Sequence, residues 1–179
     1  MPSLGHLAVG LAATRLIPKN AGKPLVLLLL VLAVLPDLDV LGFGFGVPYA
    51  SPFGHRGASH SLFVALLVGV LVFGVARFAG RRESCLRIAL LATLVVALHG
   101  VADAFTDGGE GVALLWPWSE QRFFSPWRPL PVAPLGRAFL GARGFEVIVG
   151  ELGFFLPFLA FGLLPRRRRA EPRPSLRSR

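Results

Sequence analysis

The run LRIALLATLVVALHGVADAF, residues 86–105, is the stretch of sequence with the clearest structural signal. Positions 88–102 contain no Asp, Glu, Lys or Arg, and the run matches the roughly 20 helical residues that cross a hydrocarbon core of about 30 Å. Further apolar runs lie at Leu25–Pro36, Ser61–Ala76 and Val147–Leu164, in a chain that is 54% hydrophobic. These runs predict an integral membrane protein.

The predicted fold is an all-α membrane bundle of about five short transmembrane or half-spanning helices. The helical segments are Leu4–Ile17, Pro24–Leu35, Ser61–Phe78, Leu86–Phe105 and Phe145–Leu164. The first two are short for full spans, whereas the last three reach full length with their flanks. Two irregular loops on the outer side, residues 42–59 and 106–144, are rich in Gly and Pro. We expect residues 1–165 to form one membrane domain and the Arg-rich residues 166–179 to be a disordered tail.

The basic residues predict the orientation of the bundle. Fourteen of the 19 Lys and Arg residues lie in the tail and in the loops after the first and third segments, against five on the opposite side. Because cytoplasmic loops carry the excess of Lys and Arg, the C-terminus is predicted to be cytoplasmic and the N-terminus outside. We interpret the basic tail as a topology anchor that contacts anionic lipid, and no nucleic-acid partner is expected.

The His and Asp residues all fall at the outer end of this alternating bundle. Four are His and four are Asp: His6, Asp37, Asp39, His55, His60, His99, Asp103 and Asp107. His99 and Asp103 are four residues apart and therefore share one helix face. Asp37 and Asp39 follow Pro36, where the helix is expected to end and both carboxylates can turn inward. Ser59 or Ser61 is expected to cap the third segment.

This co-location predicts a metal site. An ionised side chain near the bilayer centre costs about 2.5–3.5 kcal/mol, and a divalent cation held by imidazole and carboxylate would offset that cost. The predicted ligands are His6, Asp37, Asp39, His60, His99 and Asp103. Mixed N and O donors suit Zn, Mn or Fe, with Zn or Mn favoured, as one or two ions. His55 is a further ligand or a general acid/base, and Arg56 would stabilise developing negative charge.

Each of these residues also has a structural interpretation. A histidine on a membrane helix can be a packing residue, the LPDLD carboxylates can be solvated at a helix end, and Glu146 and Glu151 can cap a helix or face water. In the second loop, Trp116, Trp118 and Trp127 indicate an interfacial belt or lid. The functional interpretation of that loop is that Arg122 and Arg128 grip an anionic substrate through their planar guanidinium groups.

The segments PSLGHLAVG, LPDLDVLGF, PFGHRGASHSL and HGVADAFTDGGEGVALLWPWS resemble those of the bacterial membrane-bound predicted metal-dependent hydrolases, some described as LexA-regulated inner-membrane proteins. The resemblance spans roughly residues 2–151. It implies a multi-pass protein of the bacterial inner membrane, with the His and Asp motif positions at His6, Asp37, Asp39, His55, His60, His99 and Asp103. It supplies no substrate. A second resemblance, of PSLGH and HGVAD to the phosphatidic-acid phosphatase signature, fails because Leu4 interrupts the first motif.

The function expected from the sequence is metal-dependent hydrolysis, within the membrane, of a lipid or other amphiphilic ester, with a phosphoester slightly favoured because of the arginines. The alternative is a non-enzymatic membrane metal-binding protein or a divalent-metal transporter. Membrane lipids are the expected partners. The sequence does not indicate the oligomeric state.

Overall fold

A computed structural model of the chain describes residues 4–17, 22–134 and 136–164. Its five helices are α1 (Leu4–Thr14), α2 (Lys23–Val34), α3 (Leu62–Phe78), α4 (Cys85–Asp103) and α5 (Ala142–Leu163). All five predicted helices are confirmed, and each end lies within three residues of the predicted one. The described residues form two isolated β-bridges and no strand, so the protein is an all-α membrane protein. The predicted disordered tail lies outside the described residues.

The chain does not become irregular after α2 as the sequence suggested. It continues as a 3-10 helix over Leu35–Phe45, which we call the 3-10 extension. Pro36 has no backbone N–H and cannot donate to the carbonyl four residues earlier, so the α-helical pattern ends at Val34. The extension then ends at Gly46, whose φ of 77° is in the left-handed region that glycine adopts without strain.

Three helical stretches are long and apolar enough to cross a membrane, namely Lys23–Phe45, Cys85–Asp103 and Ala142–Leu163. The second predicted segment was therefore wrongly assigned as short, because α2 and the 3-10 extension together make 23 residues. At about 1.5 and 2.0 Å per residue they extend roughly 40 Å. Helix α3 has 17 residues between its serine cap and the loop that begins at Ala79, which is the lower end of the roughly 17–25 residues of a transmembrane helix.

Helix α4 is the centre of the bundle and packs against α1, α2 and α3, while α5 packs against α1. More than half of the span in α4 is buried, and Ala92, Val95 and Val96 are almost fully enclosed. Small residues bring the helices close together: a Cβ at Gly69 of α3 would overlap Thr93 Oγ1 of α4. In lipid the hydrophobic effect does not drive helices together, because the lipid tails are as apolar as the helix side chains. Close packing at small residues is one of the contacts by which such helices associate.

The two loops pack onto one end of this bundle and onto each other. The backbone N–H of Leu62 donates to Leu114 O at 3.0 Å, and that of Ala113 donates to Arg56 O at 3.0 Å. The second loop is also tied to α5 by Asp107, whose carboxylate lies 3.0 Å from Arg143 Nη2. Slight burial alone would raise the pKa of the Asp107 carboxyl. The hydrogen bond from the Val132 N–H and the ion pair with Arg143 have the larger effect and lower that pKa. The loops therefore close over the end where the His and Asp residues lie.

Candidate metal centre

Four side chains from three parts of the chain converge at this end of α4. Asp37 comes from the 3-10 extension, His60 from a short 3-10 turn (Ala58–His60), and His99 and Asp103 from one face of α4. One ligand atom from each lies within 4.8 Å of the others. We call these four residues the His–Asp cluster. Both histidines and Asp103 are buried, and Asp37 is partly exposed.

The spacing of the donor atoms in the cluster suits a small metal ion. The Nε2 atoms of His60 and His99 are 3.1 Å apart, and Asp37 Oδ1 lies 3.6 and 3.4 Å from them. Asp103 Oδ2 lies 3.5 Å from His60 Nε2. Ligands that surround zinc as a tetrahedron at about 2.0–2.1 Å are separated by roughly 3.3 Å. The four donors therefore fit a tetrahedral ion without large movement.

Hydrogen bonds at Nδ1 turn the two cluster imidazoles so that Nε2 faces the cluster. His99 Nδ1 donates to the carbonyl of Ala33 at 2.8 Å. Ser59 Oγ donates to Asp39 Oδ2 at 2.6 Å, and its oxygen accepts from His60 Nδ1 at 2.9 Å. Both Nε2 atoms then direct lone pairs at each other, which is unfavourable unless a proton or a metal ion lies between them.

Local sequence explains how His60 comes so close to α4. A Cβ at Gly100 would lie 2.2 Å from the carbonyl oxygen of His60, so only glycine permits this approach of backbone to helix. Ser61 caps α3 by accepting from the Val64 N–H at 3.1 Å, which confirms one of the two predicted caps and fixes the exit of the chain from His60.

Asp39 and His55 form a second layer behind His60. Asp37 and Asp39 are two residues apart in a 3-10 helix and so project about 120° from each other. Asp39 Oδ1 accepts from His55 Nδ1 at 2.7 Å, while Oδ2 lies 3.2 Å from both His60 Nδ1 and the Arg56 backbone nitrogen. Asp39, His55 and His60 Nδ1 also lie within metal-binding reach of one another, but these short contacts already engage both carboxylate oxygens.

Arg56 is the cation of this region and is 1% exposed. Its Nε lies 3.1 Å from Asp103 Oδ2, and its Nη1 donates to Thr106 Oγ1 at 2.9 Å and to the Gly108 carbonyl at 3.0 Å. Arg56 also has a φ of 63°, a left-handed conformation that costs a non-glycine residue of order 1–3 kcal/mol. Strain of this kind persists where surrounding contacts hold the residue, as the contacts of Arg56 do.

His6 of α1 completes the inner wall of the site. Its ring is stacked on that of His99, with the centroids 3.6 Å apart and the planes at 17°. His6 Nε2 lies 3.4 Å from Asp103 Oδ1, and the residue is 1% exposed. Among the described residues, neither ring nitrogen of His6 has a hydrogen-bond partner. His6 therefore adjoins the four-residue cluster through Asp103 and His99.

The electrostatics of the site favour a cation. Burial alone would lower the pKa of His60, but hydrogen bonds to Asp103, Asp37 and Asp39 outweigh it and raise the pKa to about 10. The metal-free cluster thus takes up a proton, and the same carboxylates would attract a metal ion in its place. A proton and a metal ion would therefore compete for one position.

The chain matches a known protein family over most of its length. The model of the family described as YdjM inner membrane protein matches residues 1–168. The chain belongs to this family. It is also 44% identical, over 146 residues, to Inner membrane protein YbcI of Escherichia coli (strain K12), a match that covers 78% of this chain and 82% of that protein. No solved structure matches the chain. The family and the apolar spans assign this YdjM-family protein to the bacterial inner membrane.

In this YdjM-family protein the two arginines predicted to bind substrate lie away from the His–Asp cluster. Arg122 donates to three backbone carbonyls, those of Tyr49, Ser51 and His55, at 3.0–3.1 Å. Arg128 is exposed, with its guanidinium 5.0 Å from the centre of the Phe124 ring. The visible role of Arg122 is to hold the first loop in shape, and Arg128 has no contact with the cluster among the described residues.

A cavity of about 690 Å³ opens beside Asp37 and is lined by His55, Arg56 and Tyr49 as well as by apolar residues. Sequence reasoning missed Tyr49, a partly buried residue of the cavity wall; this burial raises the pKa of its hydroxyl. Ser59, one of the two residues predicted to cap the third segment, instead links Asp39 to His60. Glu151 is buried and accepts the Gly5 N–H at 3.1 Å, whereas Glu146 is exposed and pairs with Arg143.

Proposed function

We propose that the protein binds one divalent metal ion in the His–Asp cluster and is a membrane-embedded metal-dependent hydrolase of a lipid or other amphiphilic ester. The observation that carries the proposal is the pair of Nε2 atoms of His60 and His99. They lie 3.1 Å apart with both Nδ1 atoms engaged, and Asp37 and Asp103 approach from the sides. A buried arrangement of this kind needs a cation for its stability.

The balance of charge supports a single divalent ion. Asp37, Asp39 and Asp103 carry three negative charges, and Arg56 is the cation that contacts Asp103. Two negative charges remain when the histidines are neutral, and one divalent ion neutralises them. A second ion would leave an excess of positive charge that only a bound anion could balance.

The donor set of two imidazoles and two carboxylates suits Zn or Mn. A divalent ion held by these four donors would have to accept a water molecule as a fifth ligand to act in catalysis. It would then lower the pKa of that water toward about 7 and polarise an ester oxygen. Of the six ligands expected from the sequence, we assign Asp37, His60, His99 and Asp103 to the ion. His6 Nε2 contacts the other oxygen of Asp103, and Asp39 orients His55 and His60.

The remaining residues suit general acid/base chemistry. His55 donates Nδ1–H to Asp39 at 2.7 Å, which leaves Nε2 as its proton acceptor, and His55 lines the cavity beside Asp37. Arg56 lines the same cavity and would stabilise negative charge that develops on the substrate. Arg56 is the one Lys or Arg among the described residues that line the cavity. Because its positive charge suits a phosphate group, a phosphoester is favoured slightly over a carboxyl ester.

Metal analysis of the detergent-purified protein tests the proposal. We expect about one Zn or Mn per chain. Asp37→Ala and His99→Ala should lower metal affinity at least about 100-fold, because the loss of a ligand should exceed the 10–100-fold effect that is typical of residues that only support a ligand. Asp107→Ala, which removes an exposed carboxylate at the same end, is the matched control and should keep its metal. Retention of metal by both cluster variants would contradict the assignment.

Activity assays separate the hydrolase from the alternatives. Hydrolysis of phosphoesters that a chelator abolishes and added metal restores would support the proposal, whereas turnover of neutral esters alone would reverse the substrate preference. Stoichiometric metal with no hydrolysis, together with metal flux into liposomes, would identify a divalent-metal transporter. Metal without either activity would identify a structural metal-binding protein.

A further inference from the structure

The cavity beside the His–Asp cluster has one wall that faces the lipid. In the 3-10 extension Leu35, Leu38 and Leu41 recur every third residue and therefore share one face, on which they are 36%, 55% and 62% exposed. The extension belongs to the candidate span Lys23–Phe45, so this exposed apolar face adjoins the bilayer. Leu38 also lines the cavity. The cavity thus borders the membrane interior along the 3-10 extension.

The opposite wall of the cavity is also apolar. It is formed by Val132, Ala133 and Pro134 of the second loop and by Phe139 of a short 3-10 helix, Gly136–Leu140. Next to Phe139, the side chain of Leu140 is 87% exposed. The two walls therefore leave an apolar gap between the 3-10 extension and the second loop, at the end of the bundle that holds the cluster.

The inner end of the same cavity is polar. Asp37, His55 and Arg56 line it, with Arg56 and His55 buried at 1% and 6% exposure. A guanidinium beside a carboxylate that we assign to a divalent ion is suited to an anionic group such as phosphate. The cavity therefore changes from apolar to polar along its length, as an amphiphile does.

We propose that this cavity is a lateral entrance from the bilayer that takes a single apolar chain between Leu38 and Ala133 and presents an attached phosphate group to Arg56 and the metal. The proposal rests on the proposed function and adds the substrate class, a phosphate monoester or diester carried on an acyl or isoprenoid chain. Because lipid is as apolar as the cavity, the walls select a chain by shape and not by hydrophobicity.

Variants that fill the cavity test the proposal. Leu38→Trp and Ala133→Trp introduce an indole from opposite walls, and Leu66→Trp on α3 is the matched control because Leu66 is also 55% exposed but lies outside the cavity. Each protein is placed in nanodiscs of zwitterionic lipid. Binding of dodecyl phosphate, butyl phosphate and inorganic phosphate is measured by calorimetry with empty nanodiscs subtracted, and metal content is measured separately.

We expect Leu38→Trp and Ala133→Trp to weaken dodecyl phosphate binding at least tenfold, to change butyl phosphate binding less than twofold and to keep the metal. Leu66→Trp should bind all three probes as the unmodified protein does. Unchanged dodecyl phosphate binding in both cavity variants would overturn the proposal. The proposal would also be overturned if inorganic phosphate or butyl phosphate bound the unmodified protein as tightly as dodecyl phosphate, because the site would then take water-soluble phosphates.

Metal content distinguishes this inference from the proposed function. If the unmodified protein holds no metal but the cavity variants still lose dodecyl phosphate selectively, the lateral site stands and metal-dependent hydrolysis fails. If metal is bound and the selective loss is absent, the metal centre stands and the lateral entrance fails.

Discussion

At the scale of single residues, Asp39 shows how one carboxylate can serve two histidines. Its Oδ1 accepts from His55, and its Oδ2 holds His60 directly and through the Ser59 hydroxyl. Partners of this kind set the tautomer and orientation of a metal-bound imidazole and make it a stronger ligand. In the proposed metal centre Asp39 is therefore a positioning residue and not a ligand. Its place two residues from Asp37 in the sequence does not reveal this difference.

Asp39→Asn should lower metal affinity about 10–100-fold while leaving one ion per chain at saturating metal. His55 and His60 contact different oxygens of Asp39, and in Asn one of these oxygens is replaced by an NH2 donor, so one imidazole loses its acceptor. Affinity is measured by competition with a chelator of known strength, and Ser59→Ala is the milder control. Loss of the ion even at saturating metal would mean that Asp39 is itself a ligand.

At the scale of secondary-structure elements, the site depends on the contact between α4 and the turn Ala58–His60. Gly100 lies between His99 and Asp103 of α4 and leaves space for the His60 carbonyl, which a Cβ at this position would overlap. His99 also reaches across to the Ala33 carbonyl in the last turn of α2. Three elements are thus held in register within a few ångströms of the cluster.

Gly100→Ala should destabilise the protein by about 1–3 kcal/mol, because a methyl group forced against backbone displaces the turn. Metal affinity should fall with it, since His60 moves away from His99. Gly74→Ala is the matched control: Gly74 also lies inside a helix, but nothing lies within 4 Å of an added Cβ. That change should be neutral or stabilise by up to about 1 kcal/mol. Thermal unfolding in detergent and metal content measure both effects, and equal behaviour of the two variants would contradict this role of Gly100.

At the scale of the whole molecule, the His–Asp cluster lies at one end of the bundle, opposite the connection between α3 and α4. That connection carries Arg81, Arg82 and, just after it, Arg87, which the charge distribution assigns to the cytoplasm. The cluster, its cavity and the two loops would then face the outer side of the inner membrane. The bundle geometry separates the two ends, and the charges predict which end is outside.

Cysteine labelling tests this orientation. In a Cys85→Ser background, Glu120→Cys in the second loop and Glu83→Cys between α3 and α4 replace exposed glutamates at opposite ends without changing the count of basic residues. A membrane-impermeant maleimide should label position 120 in spheroplasts and position 83 only after lysis. The reverse pattern would show that the cluster faces the cytoplasm.

The sequence by itself was sufficient for the class of fold, the five helices and the gathering of His and Asp at one end. Each of these follows from local composition and from the alternation of helices through a membrane. The grouping of His99 with Asp103 likewise needs only helix periodicity, because residues four apart lie on one face.

Only the tertiary structure decided which donors meet and which serve as supports. Pro36 ends α2, but the chain remains helical to Phe45, so Asp37 and Asp39 project in different directions and contact different partners. Arg122 is held by loop carbonyls that are more than 65 residues away in sequence. The lateral cavity lies between the 3-10 extension and the second loop, about 100 residues apart in the chain. Local sequence determines the backbone pattern, whereas the direction of a buried polar side chain depends on which distant group satisfies it.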